Sequence, residues 1–191
     1  MLVYLHGLHS SSQSIKGQRL KRRLAPFEVR AIDYPAHSPD AAVEQLSAFF
    51  AGLGAARPAV VGSSMGGFYG QYLARRFALS HLFMINPALT PWTLTSVGLA
   101  PSILEQTRAY GIENPCDGIP TTVFLNTGDE VIDYRIAERR YARCGRLFIW
   151  EGGDHAFQQM EEAIAIIRTH LQREEQSGRD GNAVAQAPPG E

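Results

Sequence analysis

The stretch from Pro58 to Phe77, P-A-V-V-G-S-S-M-G-G-F-Y-G-Q-Y-L-A-R-R-F, constrains the fold of this chain more than any other. Its apolar run Ala59-Val60-Val61 has the character of a buried strand. A helical segment carrying Phe68, Tyr69, Tyr72, Leu73 and Phe77 follows. Between them lies Gly62-Ser63-Ser64-Met65-Gly66, a G-x-S-x-G match centred on Ser64. A strand that becomes a helix so abruptly needs flanking positions without side chains. Such a turn lifts the central hydroxyl off the sheet. It sets it at a helix N-terminus, where unpaired N–H groups and the positive dipole end favour a developing anion. Centring the motif on Ser63 instead puts Val61 and Met65 at the glycine positions. A glycine-rich turn with no catalytic role is the plain structural alternative. Gly67 and Gly70 let the helix lie close to neighbouring strands.

The rest of the chain repeats the same strand-then-helix unit. Leu2 to Leu5 is an apolar strand that ends in His6-Gly7-Leu8-His9 and a run of serines. A helix over about 14–24 should turn Ile15, Leu20 and Leu24 inward and its basic side chains, Lys16 and Arg19 among them, to solvent. A second strand covers about 28–32. Ser38 is a suitable N-cap with Pro39 at the first helical position. Val43, Leu46, Phe50 and Leu53 then form one apolar face, closed by Gly54. The fourth strand is His81 to Ile85, followed by Asn86-Pro87. Residues 88–119 hold Trp92, Tyr110 and one short helical stretch, and read as a small lid or an irregular crossover. The fifth strand, Thr121 to Leu125, ends at Asn126-Thr127-Gly128-Asp129-Glu130, and a helix follows over about 133–143. The sixth, Arg146 to Trp150, ends at Glu151-Gly152-Gly153-Asp154-His155. The last helix carries the stripe Phe157, Met160, Ile164, Ile167 and Leu171.

The length of 191 residues suits a single domain, here spanning 1–172. Residues 173–191 lack periodic apolar positions and read as a disordered tail. Strand and helix alternate throughout, which gives an α/β protein of three layers: a six-stranded parallel sheet with helices on both faces. A net charge of −1 offers nothing to nucleic acid or to an anionic membrane. No apolar run is long enough to span a bilayer. Cys116 and Cys144 stand far apart outside any C-x-x-C pattern and read as free thiols in a reducing compartment (a disulfide between them is the unsupported alternative), which suggests a soluble cytoplasmic protein.

In parallel sheets of this kind, sites gather at the carboxyl ends of the strands. His6-Gly7, Ser64, Asp129 and His155 all fall there. A serine hydroxyl needs a base to take its proton, and the base needs an acid to hold its tautomer. His155 is the best base, since two glycines let its loop fold back over the sheet. Asp129 is the leading acid; Asp133 is its main rival, with Glu130 and Asp154 behind. Asp129 could instead cap the following helix. The order Ser64, Asp129, His155 is that of the α/β-hydrolases. Backbone N–H groups of Leu8 and Met65 would hold the oxyanion. His6 and Trp92 are candidates for the substrate pocket. Neither H-E-x-x-H nor a Cys/His ligand cluster is present, so no metal or other cofactor is called for.

The motifs Y-L-H-G-L-H-S-S, G-S-S-M-G-G-F-Y, N-P-A-L, T-G-D-E-V-I-D-Y-R and E-G-G-D-H-A-F-Q, in that order, resemble those of the YqiA/YcfP-like esterases, a compact branch of the α/β-hydrolases. The resemblance runs from about residue 2 to 171. It implies a minimal sheet in the strand order 2-1-3-4-5-6 and the triad Ser64, Asp129 and His155. It also implies hydrolysis of carboxylic esters or acyl thioesters, with acyl-CoA as a suggested substrate class. Met65 stands where many relatives have leucine, and the stretch from Thr93 to Ala109 does not match. The expected partner is therefore a small acyl ester or thioester. Acyl transfer on the same triad, or a non-catalytic binding module on the same fold, are the alternative functions.

Overall fold

The computed structural model describes residues 1–185 except 96, 117 and 118, with the side chains of 178–185 also outside the described part. Strands β1 (Leu2–Leu5), β2 (Val29–Ile32), β3 (Ala59–Ser63), β4 (His81–Ile85), β5 (Thr121–Asn126) and β6 (Gly145–Trp150) form one sheet in the order β2-β1-β3-β4-β5-β6. All the pairings are parallel. The expected topology is therefore observed. The central strands β1, β3 and β5 are buried along their whole length, which is why they read as unbroken apolar runs rather than alternating ones.

Alternate residues of each strand feed two cores. Val3, Leu5, Val60 and Met84 face α2 (Pro39–Gly52), α3 (Met65–Leu73) and α5 (Tyr134–Tyr141), which contribute Leu46, Phe50, Phe68, Ala137 and Tyr141. Leu2, Tyr4, Val61 and Phe83 face α1 (Ile15–Leu24) and α6 (Met160–Ala185), which contribute Leu20, Leu24, Ile164 and Ile167. The short helix α4 (Pro101–Gln106) lies within the insertion between β4 and β5.

Four expectations change. Ile15 is 79% exposed rather than inward. The buried stripe of α1 is Gly17, Leu20 and Leu24, at helical spacing, and Ile15 falls outside it. Ser38 precedes α2 with Pro39 in the first turn, but its side chain makes no capping bond. Cys116 and Cys144 are not free thiols: they form a disulfide, with Cα atoms 5.3 Å apart. The fold brings the end of the insertion beside the start of β6, a proximity that a sequence separation of 28 conceals. Finally, α6 runs to Ala185 instead of ending near Leu171. Arg173, Glu174, Glu175 and Gln176 are good helix formers, and extending a formed helix avoids the nucleation penalty. The remainder of the expected tail, 186–191, lies outside the described residues. Among the described residues no helix is long and apolar enough to cross a membrane.

Candidate active site

The turn between β3 and α3 places Ser64 at φ 54°, ψ −118°, in the left-handed half of φ space that a non-glycine residue seldom occupies. Its glycine neighbours leave no room for anything larger. A Cβ on Gly62 would sit 2.3 Å from the Gly66 carbonyl oxygen, and one on Gly66 would sit 2.1 Å from that of Leu5. The start of α3 is thus pressed against the end of β1. Backbone bonds fix the turn further: the Ser64 N–H donates to the Ile85 carbonyl at 3.0 Å, and the Ala88 N–H donates to the Ser64 carbonyl at 3.1 Å. Ser63 is a buried strand residue, whereas Ser64 is half-buried at the carboxyl end of the sheet.

His155 comes from the loop after β6. Its Nε2 lies 3.1 Å from Ser64 Oγ, and its Nδ1 lies 3.0 and 2.9 Å from the two oxygens of Asp129. The Asp129 side chain is 1% exposed and that of His155 24%. The N–H groups of Val131 and Ile132 donate to Asp129 Oδ1 at 2.9 and 2.8 Å, so the carboxylate is held in place by its own loop. Protonated at Nδ1, the imidazole donates to Asp129 and turns the Nε2 lone pair toward the Ser64 hydroxyl. The acid rivals are occupied elsewhere. Asp133 caps α5 through the Arg135 N–H at 3.0 Å. Asp154 accepts from the Phe157 N–H at 3.1 Å, and Glu130 from the His155 backbone N–H at 3.0 Å.

A cleft of about 950 Å³ opens over Ser64 and His155, with Leu8 and Met65 in its wall. Neither the Leu8 nor the Met65 N–H donates to another group among the described residues. The loop carrying Leu8 is tied down at several points. The Tyr34 hydroxyl donates to the His6 carbonyl. Ser12 donates its N–H and its hydroxyl to Asp33, each at 2.7 Å, and these bonds hold the Asp33 carboxyl below its ordinary range. Leu94, Val97 and Gly98 of the insertion close another side of the cleft, and His9 Nε2 meets the Val97 carbonyl at 3.0 Å.

The two pocket candidates fall outside the cleft lining. His6 is 2% exposed and stacks on Tyr34, with ring centroids 4.5 Å apart. Its position straight after a buried strand carries the ring into the core. Trp92 packs against Phe68 and lies under Arg108, its indole filling the space beside Gly111. Sequence reasoning missed Lys16, which lines the cleft instead of pointing to solvent. It also missed Asn86, at φ 40°. Asn86 donates to the Asp154 carbonyl at 3.1 Å and accepts from the Asn126 N–H at 3.0 Å, tying the ends of β4 and β5 to the His155 loop. The signal available for Asn86 was an asparagine at a strand end before proline; for Lys16 there was none.

The sheet order, the helices on both faces and the tight turn at Ser64 define the α/β-hydrolase fold. Solved structures share it at low sequence identity. Mouse alpha/beta hydrolase domain-containing protein 10 superposes with a TM-score of 0.77 at 14% identity, covering 90% of this chain and 89% of that one. Est1E from Butyrivibrio proteoclasticus, with ferulic acid bound, gives 0.77 at 14% identity over 90% and 88%. The monoacylglycerol lipase of Paleococcus ferrophilus gives 0.70 at 17% identity over 89% and 93%. More specifically, the chain belongs to the uncharacterised protein family UPF0227, whose model matches residues 1–114 and 104–172.

Proposed function

We propose that this protein is a serine hydrolase that cleaves carboxylic esters or acyl thioesters through an acyl-enzyme on Ser64. The observation that carries the reading is the row Ser64 Oγ, His155, Asp129, joined at 3.1 and 2.9 Å across three separate strand ends. A protein that merely bound a ligand would have no use for all three groups in this order. The structural neighbours include esterases and a lipase, which supports acyl substrates.

In this mechanism Ser64 Oγ attacks the acyl carbonyl carbon while its proton passes to His155 Nε2. Asp129 accepts from Nδ1–H and stabilises the imidazolium that forms. The N–H groups of Leu8 and Met65, uncommitted among the described residues, hold the oxyanion of the tetrahedral intermediate. The dipole at the start of α3 adds to this field. As the intermediate collapses, His155 returns its proton to the departing alcohol or thiol. Water, activated by the same Nε2, then attacks the acyl-enzyme and releases the carboxylic acid. The apolar wall formed by Leu8, Leu94, Val97 and Ile132 suits the acyl group.

The reading is tested by turnover of 4-nitrophenyl esters of graded acyl length alongside the matching acyl-CoA thioesters. A burst of one nitrophenolate per protein molecule, followed by slower steady turnover, is expected if deacylation limits the rate. Absence of turnover on every ester and thioester would return the protein to the class of binding modules.

A further inference from the structure

Lys16 and Arg19 stand on one face of α1, three residues apart, and both line the cleft that holds Ser64 and His155. Lys16 is only partly exposed, and among the described residues its ammonium has no hydrogen bond and no ion pair within 4.0 Å. Burial pulls it below the ordinary lysine range, with Asp154 and Asp129 opposing from a distance. A half-buried cation without a partner is costly to keep, unlike a lysine on a solvated face. Its anionic surroundings are already spoken for. Asp129 faces His155, Asp154 takes the Phe157 and Gln158 donors, and Glu130 takes the His155 N–H. Arg19 has only a loose contact with Glu161 at 3.9 Å, because Glu161 sits at 2.7 Å from Arg23.

The place of these cations in the cleft decides what they can meet. Helix α1 packs on α6, its Leu20 and Leu24 sharing one core with Met160 and Ile164, and the His155 loop runs directly into α6. The cations therefore stand near the His155 loop, with Asp154 and the His155-bound Asp129 within electrostatic reach of Lys16. In acyl transfer the group that leaves departs on the side of the base, because the base must hand it a proton.

We infer that Lys16, assisted by Arg19, forms a subsite for an anionic group on the leaving alcohol or thiol of the substrate, so that the preferred substrates are esters or thioesters whose leaving group carries a carboxylate or phosphate. The assignment of the leaving-group side rests on the hydrolase reading above. Lys16 supplies up to three N–H donors to the anion, and Arg19 a planar fork that suits the same groups. Ile15, 79% exposed at the rim beside them, offers apolar contact to the body of the leaving group.

The test compares two acetate esters that differ by one charge, 4-nitrophenyl acetate and 3-carboxy-4-nitrophenyl acetate, on wild type, Lys16→Met and Lys16→Arg. The ratio of kcat/KM for the anionic ester to that for the neutral ester should fall by about 10- to 100-fold in Lys16→Met, the loss of one hydrogen bond to a charged group. Lys16→Arg should restore most of it. Thermal melting of each variant shows that the fold survives. A ratio unchanged by Lys16→Met overturns the subsite while leaving the hydrolase reading intact. A second arm needs no turnover: calorimetric binding of the product phenol, 5-hydroxy-2-nitrobenzoate, to Ser64→Ala and to Ser64→Ala/Lys16→Met. Binding that weakens with Lys16→Met supports the subsite even if neither ester is cleaved. Equal binding to both proteins counts against it.

Discussion

Replacing Asp129 by asparagine changes one atom and should abolish the base at Ser64. The Val131 and Ile132 N–H groups both donate to Asp129 Oδ1, at 2.9 and 2.8 Å. In Asp129→Asn the amide oxygen must keep that position, since an NH₂ there would face two donors. The NH₂ then occupies the place of Oδ2, 2.9 Å from His155 Nδ1. An amide nitrogen can only donate, so a proton on Nδ1 would face it at 2.9 Å; the tautomer protonated at Nε2 relieves that clash and is favoured, with Oδ1, 3.0 Å from Nδ1, as the competing acceptor. Nε2, 3.1 Å from Ser64 Oγ, would then point a proton at the hydroxyl it should deprotonate. The expected loss in kcat is about 10⁴-fold at neutral pH, or about 5.4 kcal/mol of transition-state stabilisation. Steady-state turnover of a 4-nitrophenyl ester measures it, with a melting curve to show that the fold is retained. Asp133→Asn is the control, because asparagine caps a helix as well as aspartate does. A folded Asp129→Asn protein that kept wild-type turnover would refute the reasoning, and so would an equal loss in Asp133→Asn.

Gly66→Ala should cost about 1–3 kcal/mol of stability, since its Cβ would lie 2.1 Å from the Leu5 carbonyl oxygen and backbone must move to admit it. Gly52→Ala, where a Cβ meets nothing within 4 Å, should stabilise by about 0.4–1 kcal/mol, so urea midpoints moving in opposite directions distinguish the two. His81 gives a pH-dependent effect far from the cleft. Burial, with His170 and Arg146, lowers its pKa from 6.5 to about 4. Because the folded value lies below the unfolded one, the neutral ring's contribution is complete above pH 6.5 and is lost as pH falls toward 4. That amounts to about 2 kcal/mol by pH 5 and about 3 below pH 4, at about 1.36 kcal/mol per pKa unit. Urea unfolding of wild type and His81→Gln at pH 7 and pH 5 should show the larger decline in wild type; parallel declines would contradict the assignment.

The middle of the sheet was legible because β1, β3, β4 and β5 are buried on both faces and advertise themselves as largely apolar runs between polar ends. Ser64, Asp129 and His155 were legible for a related reason. Each sits just past a strand end, where a parallel sheet gathers its loops, and glycines beside Ser64 and His155 mark the turns. What failed was everything set by packing between elements remote in sequence. Lys16 and Ile15 were misjudged because the α1 stripe alone does not say that the helix start borders a cleft. His6 and Trp92 carry residue types suited to a pocket, yet Tyr34 and Phe68 claim their rings. The pairing of Cys116 with Cys144 depends on where the insertion rejoins the sheet, which periodicity does not report. The extension of α6 to Ala185 carries no apolar stripe and so left no pattern to read.

The central claim is that Ser64 is a nucleophile activated by His155. Labelling with a fluorophosphonate probe, followed by peptide mapping, tests it without knowledge of the substrate. Wild type should carry the adduct on Ser64, and Ser64→Ala should carry none. A folded wild-type protein that stayed unlabelled, or carried its adduct on another serine, would contradict the account.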